Sequence, residues 1–320
     1  MRPIEFACDA AFLEALKGSG KPAIAAALAG LESKPSSPEN RKLLDAAYAA
    51  PVAHVIGLTG PPGVGKSTLA GGMIRELRRS SRRVAVIAVD PSSRRSGGAL
   101  LGDRTRIHHD PEDDGIFVRS MAARDRLGGL AELSIAAMVL LRALYDIVLL
   151  ETVGVGQSET DVADSADSVV FCVQPGSGDS LQFMKAGIVE IPHFIAVTKA
   201  DMGTAATRAR ADVEGALGLA DVGDWSVEVL SLSVSQGLGT EELIAALDRR
   251  WLWLREAKRL ALQRHAQAQQ WVIEGIRQRF GREGLKRAGQ ILLTEGESPF
   301  AKLAEVTERL KSPSAADSAP

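Results

Sequence analysis

A chain of 320 residues, 45% of them hydrophobic, can bury a substantial core, either as one large domain with extensions or as two small domains. Its net charge of −2 and isoelectric point near 6.3 exclude the broad electropositive surface that drives nucleic-acid binding. Two cysteines, Cys8 and Cys172, cannot form a disulfide framework. No secretion signal opens the chain, and the apolar stretch 135–150 is interrupted by Arg142 and Asp146. We therefore expect a cytoplasmic protein that has neither nucleic acid nor a membrane as a partner.

The chain begins with a helical pattern. Ala and Leu recur at helical spacing over residues 10–33, before a Ser- and Pro-containing break at 35–38. We expect residues 1–50 to form a helical N-terminal extension.

Short β-rich runs then alternate with helical patterns, which is typical of an α/β fold with a doubly wound, mostly parallel sheet. The runs predict strands near 54–59, 83–89, 115–118, 145–150, 168–173, 193–198 and 227–232. We expect residues 51–250 to form one such α/β domain. Such sheets place their ligands beyond the carboxyl ends of the strands.

The remainder of the chain has helical spacing again. Residues 251–280 are dense in Leu, Ala, Trp, Arg and Gln, with apolar residues three and four apart. We expect a helical C-terminal segment at 251–311. The small, polar, proline-bounded end, 312–320, predicts a disordered tail.

A complete phosphate-binding loop follows the first predicted strand. It reads Gly60-Pro61-Pro62-Gly63-Val64-Gly65-Lys66-Ser67, and a predicted helix begins at Thr68. The glycines allow successive N–H groups to point at phosphate oxygens, and the helix adds its positive end. Lys66 is suited to reach the β and γ phosphates, and the Ser67 hydroxyl to ligate Mg²⁺. The motif predicts a nucleotide-binding protein.

Acidic residues end two further predicted strands. Asp90 follows 84–89 and is a candidate Mg²⁺ ligand, with a turn or capping aspartate as the alternative. Glu151-Thr152-Val153-Gly154 has the acid-x-x-Gly form with which small GTPases sense the γ phosphate, the acid holding the Mg²⁺ shell and the Gly154 N–H touching that phosphate. The next position is Val155, where small GTPases carry a water-orienting Gln, and the nearest Gln is Gln157. We therefore expect slow hydrolysis by the isolated protein.

A base-reading motif follows the strand at 193–198. In Thr198-Lys199-Ala200-Asp201, the carboxylate of Asp201 is suited to accept from N1–H and the exocyclic amine of guanine, which adenine cannot match. Thr198 stands where Asn is commoner, so an amide that would bind the purine and tie back to the phosphate loop is lost. Ser233-Val234 is positioned to offer a backbone N–H to the guanine carbonyl. The motif favours GTP over ATP.

Taken in order, these motifs resemble those of the methylmalonyl-CoA mutase-associated GTPases, the MeaB/ArgK family of metallochaperone-type P-loop proteins. The resemblance covers roughly residues 10 to 300. It is carried by residues 60–68, Val89-Asp90-Pro91-Ser92-Ser93, Gly97-Gly98, Leu101-Gly102-Asp103-Arg104-Thr105-Arg106, residues 151–159, and Pro175-Gly176-Ser177-Gly178-Asp179-Ser180-Leu181-Gln182 with Lys185.

The resemblance implies a P-loop GTPase fold of the SIMIBI type that uses GTP, GDP and Mg²⁺. It implies a partner, an adenosylcobalamin-dependent acyl-CoA mutase, whose cofactor loading, protection or reactivation the GTPase gates. It also implies a homodimer through C-terminal helices, here 251–310. Besides Thr198, the chain departs from the family at Pro192-His193, where Ala-Asp is usual, and this departure is compatible with a client other than methylmalonyl-CoA mutase.

Within this hypothesis, bound GTP orders three loops, 90–106, 151–159 and 175–185. Three side chains on these loops are candidates to position water or the γ phosphate, and the first is also a candidate Mg²⁺ ligand: Asp103, Gln157 and Lys185.

The motifs are also compatible with three other functions. A nickel-insertion GTPase shares the fold class but needs thiolate or imidazole clusters; a kinase would pass the γ phosphate to an acceptor; a scaffold would bind nucleotide without turnover. His108-His109-Asp110 is either a metal site or two diverging side chains. The arginines at 75–83 form either a solvated helix terminus or an anion site. Three tryptophans are either dimer anchors or parts of a local core: Trp251, Trp253 and Trp271.

Overall fold

The computed structural model describes residues 10–91, 107–123, 132–152, 162–176, 191–218 and 224–311. The chain forms two compact units. The first, called the sheet unit below, is Val52–Ala257. The second, called the helical unit, combines the described residues up to Pro51 with those from Lys258 onward. The two helical regions that flank the sheet unit in sequence therefore form one unit together.

The described residues form one parallel sheet of seven strands, as the alternating pattern predicts. The strands are β1 (His54–Thr59), β2 (Val84–Pro91), β3 (Ile116–Ala123), β4 (Ile147–Glu151), β5 (Ser168–Val173), β6 (Phe194–Val197) and β7 (Glu228–Ser231). Their order is β3-β2-β4-β1-β5-β6-β7. The doubly wound α/β fold is confirmed.

Nine α-helices are described. They are α1 (Ala10–Gly18), α2 (Gly20–Ser33), α3 (Pro38–Ala49), α4 (Lys66–Arg79), α5 (Glu132–Leu144), α6 (Thr204–Leu217), α7 (Thr240–Arg255), α8 (Arg259–Ala288) and α9 (Pro299–Lys311). Of the helices in these described ranges, none is long and apolar enough to cross a membrane.

Burial explains why the strands were visible in the sequence. Every residue of β1, β4, β5 and β6 is buried, and strands covered on both faces read as continuous apolar runs. Within β1, a Cβ on Gly57 would lie 2.4 Å from Cγ2 of Val162, so only glycine permits this packing. The main core fills the space between the sheet and helices α4 and α7.

Strand β3 extends further than its apolar run, 115–118, predicts. It pairs with β2 along its whole length, from Val84 opposite Ile116 to Pro91 opposite Ala123. The second half of β3 includes the polar residues Arg119 and Ser120. Pairing with β2 therefore continues the strand beyond the end of its apolar run.

Two arginines at the end of the phosphate-loop helix and just beyond it, Arg78 and Arg82, form ion pairs. Arg78 makes a two-bond contact with Asp113, with N–O distances of 2.8 and 2.9 Å. Arg82 contacts both carboxylate oxygens of Asp248 at 2.6 Å. These two side chains therefore join the end of α4 to neighbouring segments, which accounts for them without a bound anion.

The helical unit has its own core and local caps. Ser37 caps α3 by accepting from the Asn40 N–H at 3.2 Å, and the Asn40 side chain donates to the carbonyls of Gly30 and Lys34. Helix α8 is interrupted at Gly281, whose φ of +68° is non-helical. The core of the unit lies mainly between α8 and α9, and Trp271 packs against it.

Candidate nucleotide site

The phosphate loop lies between β1 and α4, and its glycines adopt conformations that other residues rarely reach. Gly60, Gly63 and Gly65 have φ angles of +133°, +75° and +103°. At Gly60 a Cβ would also lie 2.3 Å from the carbonyl oxygen of Cys172 in β5. Val64, between two of these glycines, is 1% exposed and anchors the loop in the core.

Lys66 places a buried cation against this loop. The residue is 7% exposed, and Nζ donates to the carbonyl oxygens of Gly60 at 2.7 Å and Pro61 at 3.0 Å. Both of these acceptors are neutral backbone carbonyls that solvate the ammonium. A buried cation among glycine N–H groups favours an anionic ligand such as a triphosphate.

Ser67 and Glu151 meet beside the loop. The Ser67 hydroxyl donates to Oε1 of Glu151 at 2.5 Å, and Glu151 is 8% exposed. The contact arises because β1 pairs directly with β4, with Leu58 opposite Glu151. A hydroxyl and a carboxylate are oxygen donors that suit Mg²⁺, so these residues fit the ion that a P-loop site requires. The backbone of Asp90, near the end of β2, lies at the same edge of the sheet, whereas its side chain is outside the described part of the chain.

A pair of threonines that the sequence analysis missed braces the ends of the same two strands. Thr152 Oγ1 lies 3.2 Å from Thr59 Oγ1, and the Thr152 N–H donates to the Leu58 carbonyl at 3.2 Å. Both threonines are buried. They hold the residue after Glu151 against the residue before Gly60. Their adjacency to the two motifs was the available signal, but only the pairing of β1 with β4 brings them together.

The residue that replaces the usual Asn does contact the loop. Thr198 is 6% exposed, and its hydroxyl donates to the carbonyl of Val64 at 2.7 Å, with Val173 O at 3.0 Å. The expectation that this position loses its tie to the phosphate loop is therefore wrong, because a hydroxyl makes the connection. Lys199, with φ of +52°, donates to Gln174 Oε1 at 2.6 Å and reaches the Gly63 carbonyl at 3.4 Å.

Asp201 and Ser233 lie together beyond β6 and β7. The Ser233 hydroxyl donates to Oδ1 of Asp201 at 2.5 Å, which orients an exposed carboxylate. The Ser233 N–H donates to the Leu238 carbonyl at 3.0 Å, so this donor is already used within the turn. Val234 packs on α4, where its Cγ1 lies 3.0 Å from the position of a Cβ on Gly72.

The remaining predicted site residues differ in what the structure says of them. Pro62, Gly63 and Thr68 are exposed on the loop and the first turn of α4. Four candidates lie outside the described residues, as do large parts of the three predicted switch loops: Asp103, Gly154, Gln157 and Lys185.

Comparisons with known proteins agree with this geometry. The sequence profile of the family described as methylmalonyl Co-A mutase-associated GTPase MeaB matches residues 24–286. The chain belongs to this family. It is a P-loop GTPase, and the fold and the motif imply binding of a nucleotide with Mg²⁺.

Individual relatives are similar over most of the chain. A Pyrococcus horikoshii protein is 41% identical over 238 residues, which are 70% of this chain and 73% of that protein. The mouse protein named methylmalonic aciduria type A homolog, mitochondrial, is 37% identical over 229 residues, 69% of this chain and 55% of its own length. A crystal structure of an LAO/AO transport system kinase covers 97% of this chain and 100% of its own, with a TM-score of 0.69 and 27% identity.

The possible metal motif of this GTPase, His108-His109-Asp110, lies within the described residues. His108 contributes backbone atoms beside Gly71 on α4, while Nδ1 of His109 lies 2.8 Å from the carbonyl of Ile107. Among the residues that the structure describes, no group of three or more His, Cys, Asp or Glu side chains could hold a metal ion.

The family departure at His193 lies at the amino ends of β1, β5 and β6, whereas the phosphate loop follows the carboxyl end of β1. Nδ1 of His193 accepts the Val169 N–H at 2.9 Å, which requires that nitrogen to be unprotonated. Burial, followed by the nearby charges of Arg250 and His54, lowers the pKa of His193 to about 3, while Asp167 acts in the opposite direction. The ring is therefore neutral at physiological pH.

Arg250 shares this cluster with aromatic rings. Its guanidinium lies 5.0 Å from the Trp225 ring centre and 5.3 Å from that of Trp253, and Nη2 lies 3.5 Å from the Asp167 carbonyl. Burial lowers the pKa of Arg250 to about 9, against the opposing effect of Asp167. Trp251 stacks on His54 with ring centres 4.7 Å apart. These tryptophans thus pack within the sheet unit.

Proposed function

We propose that this GTPase binds an adenosylcobalamin-dependent acyl-CoA mutase and uses its nucleotide state to gate cofactor loading, protection or reactivation of that enzyme. The observation that carries the proposal is the match to the mutase-associated GTPase family over residues 24–286. The name of the mouse relative, which refers to methylmalonic aciduria, supports a client of this class.

The contacts of Lys66, Ser67 and Glu151 support the nucleotide chemistry that we propose. The loop N–H groups and Lys66 hold the phosphates, and Ser67 with Glu151, joined by Asp90 and Asp103, hold Mg²⁺. Bound Mg²⁺ would neutralise charge on the β and γ phosphates. The Ser67 hydroxyl donates a hydrogen bond to Glu151 in the structure. To ligate Mg²⁺ it must rotate, so that its oxygen faces the ion and its proton points elsewhere.

The base is read on the other side of the loop. Ser233 occupies one acceptor site on Oδ1 of Asp201, so both carboxylate oxygens keep acceptor sites for the N1–H and the amine of guanine. Since the Ser233 N–H is used within the turn, Val234 is the better placed of the two to donate to the guanine carbonyl.

Hydrolysis then controls the client surface. Gly154 would contact the γ phosphate, and Asp103, Gln157 and Lys185 would position that phosphate or the attacking water. Because Val155 occupies the usual place of a water-orienting Gln, turnover is slow until the mutase completes the site. The three loops present the mutase-binding surface while GTP is bound, and the C-terminal helices at 251–310 form a homodimer.

The test uses the purified chain and a panel of purified adenosylcobalamin-dependent acyl-CoA mutases. Complex formation and mutase reactivation are measured with GTP, GDP and a non-hydrolysable GTP analogue. Lys66→Ala should abolish every nucleotide-dependent effect, whereas Lys17→Ala, which removes a surface lysine paired with Glu14, should not. Unchanged GTP turnover in Lys66→Ala would remove the assignment of the site. No nucleotide-dependent binding to any mutase would remove the client assignment alone.

A further inference from the structure

Thr198 lies where three parts of the nucleotide site meet. It follows β6, its N–H donates to the carbonyl of Val173 at the end of β5, and its hydroxyl reaches the carbonyl of Val64 in the phosphate loop. The distances are 2.8 Å from N to Val173 O and 2.7 Å from Oγ1 to Val64 O. At 6% exposure, the side chain has little access to water.

The Thr198 hydroxyl has two carbonyl oxygens within hydrogen-bond distance but can donate to only one of them. A threonine hydroxyl carries a single proton. Val173 O already accepts the backbone N–H of Thr198, and it lies farther from Oγ1, at 3.0 Å, than Val64 O does at 2.7 Å. The proton therefore goes to Val64 O. Once this bond is made, the side chain has no donor left for a base.

The loop gains from such a tie because of its composition. Val64 stands between Gly63 and Gly65, both with positive φ, and glycines leave a free chain many conformations. Binding a triphosphate requires the loop N–H groups to converge, and a site ordered in advance does not lose that entropy on binding. Fixing one carbonyl between the two glycines orders the segment before nucleotide arrives.

We propose that Thr198 is a positioning residue that fixes the phosphate loop through Val64 and takes no part in reading the base. Affinity for the phosphates depends on this hydroxyl, whereas discrimination among bases depends on Asp201. The second half of the proposal rests on the proposed role of Asp201. The two halves are separated by the experiment below.

The experiment measures dissociation constants in Mg²⁺ buffer for GTP, GDP, inosine triphosphate and 7-deaza-GTP, which lacks the N7 acceptor that a side-chain donor would contact on the base. Thr198→Val keeps the shape of the side chain and removes its proton, which leaves the Val64 carbonyl buried without this partner. We expect affinity for all four nucleotides to fall by the same factor, about five- to fifty-fold, because the loss concerns phosphate binding. Asp201→Asn should instead reduce the preference for GTP over inosine triphosphate, which lacks the exocyclic amine.

Matched variants separate positioning from general stability. Thr198→Ser and Thr198→Ala both lose the methyl group and differ only in the hydroxyl, so Ser should bind as the unmodified chain does and Ala should bind as weakly as Val. The same pair replaces Thr198→Val if that variant does not fold. Thr307→Val, at a buried threonine of the helical unit that accepts from Arg279, should leave nucleotide affinity unchanged.

Three results would overturn the proposal: unchanged affinity in folded Thr198→Val, equal affinities for the Ser and Ala variants, or a Thr198→Val loss that is larger for GTP than for 7-deaza-GTP. If Asp201→Asn alone fails to alter base preference, only the assignment of the base reader is lost.

Discussion

Replacement of His193 by Asn should remove part of the acid sensitivity of the sheet unit. The native structure keeps the His193 ring neutral, because Nδ1 accepts the Val169 N–H and because burial and Arg250 lower its pKa from 6.5 to about 3. An Asn side chain can place its carbonyl oxygen where Nδ1 lies, so the substitution retains an acceptor and removes the titration.

The magnitude follows from proton linkage. The unfolded chain binds a proton at His193 below about pH 6.5, whereas the folded chain does so only near pH 3, so stability is fully present above the unfolded pKa and falls as the pH drops below it. Between about pH 7.5 and about pH 5 these values give a loss of about 2 kcal/mol in the free energy of unfolding.

The assay is urea unfolding without nucleotide at both pH values, followed by the fluorescence of the tryptophans in the sheet unit. The loss between the two pH values should be about 2 kcal/mol smaller in His193→Asn than in the unmodified chain. His108→Asn, which removes an exposed histidine of the same unit, should keep the original loss. An identical pH dependence in His193→Asn and the unmodified chain would refute the reasoning.

Three further substitutions test packing and metal binding. Gly60→Ala should lower the stability measured by thermal unfolding by at least about 2 kcal/mol and abolish nucleotide binding, because Gly60 has a positive φ and an added Cβ would clash. The control is Gly215→Ala on α6, where a Cβ meets open space. It should be neutral or stabilising by up to about 1 kcal/mol. Gly115→Ala places a Cβ 2.2 Å from Cζ of Arg78, so it should displace that guanidinium and lower the free energy of unfolding by about 1–2 kcal/mol. In a double-mutant cycle with Arg78→Met, the losses of stability from the two substitutions should not be additive. Glu151→Gln should raise the Mg²⁺ concentration needed for half-maximal GTP hydrolysis at least about tenfold, and an unchanged Mg²⁺ titration would contradict its role as a ligand.

The sheet and the phosphate loop were predictable from the sequence because both leave local signals. Strands such as β1 and β5 are buried on both faces and read as short apolar runs, and the loop needs glycines at fixed spacing. Strand β3 was predicted too short because it continues through polar residues by pairing with β2, and pairing is not a property of one segment.

The contacts within the site were less accessible for the same reason. The missing amide at Thr198 was visible, but its carbonyl partner, Val64, comes from a segment more than 130 residues away. From the sequence, the Ser233 N–H was a candidate donor to guanine, but in the folded turn it donates to the Leu238 carbonyl. Motifs therefore identify which residue types gather around a nucleotide, while the strand order decides which atoms they bind.

The position of Cys172 beneath the phosphate loop makes its sulfur a natural probe of that loop. The thiol is fully buried, burial raises its pKa to about 12, and the backbone of the same residue touches Gly60. Alkylating reagents react with exposed thiolates, so Cys172 can be labelled only when β5 and the phosphate loop separate. In a variant with Cys8 replaced by Ser, the rate of labelling would time this separation directly, and saturating nucleotide would slow it in proportion to how tightly the ligand is held.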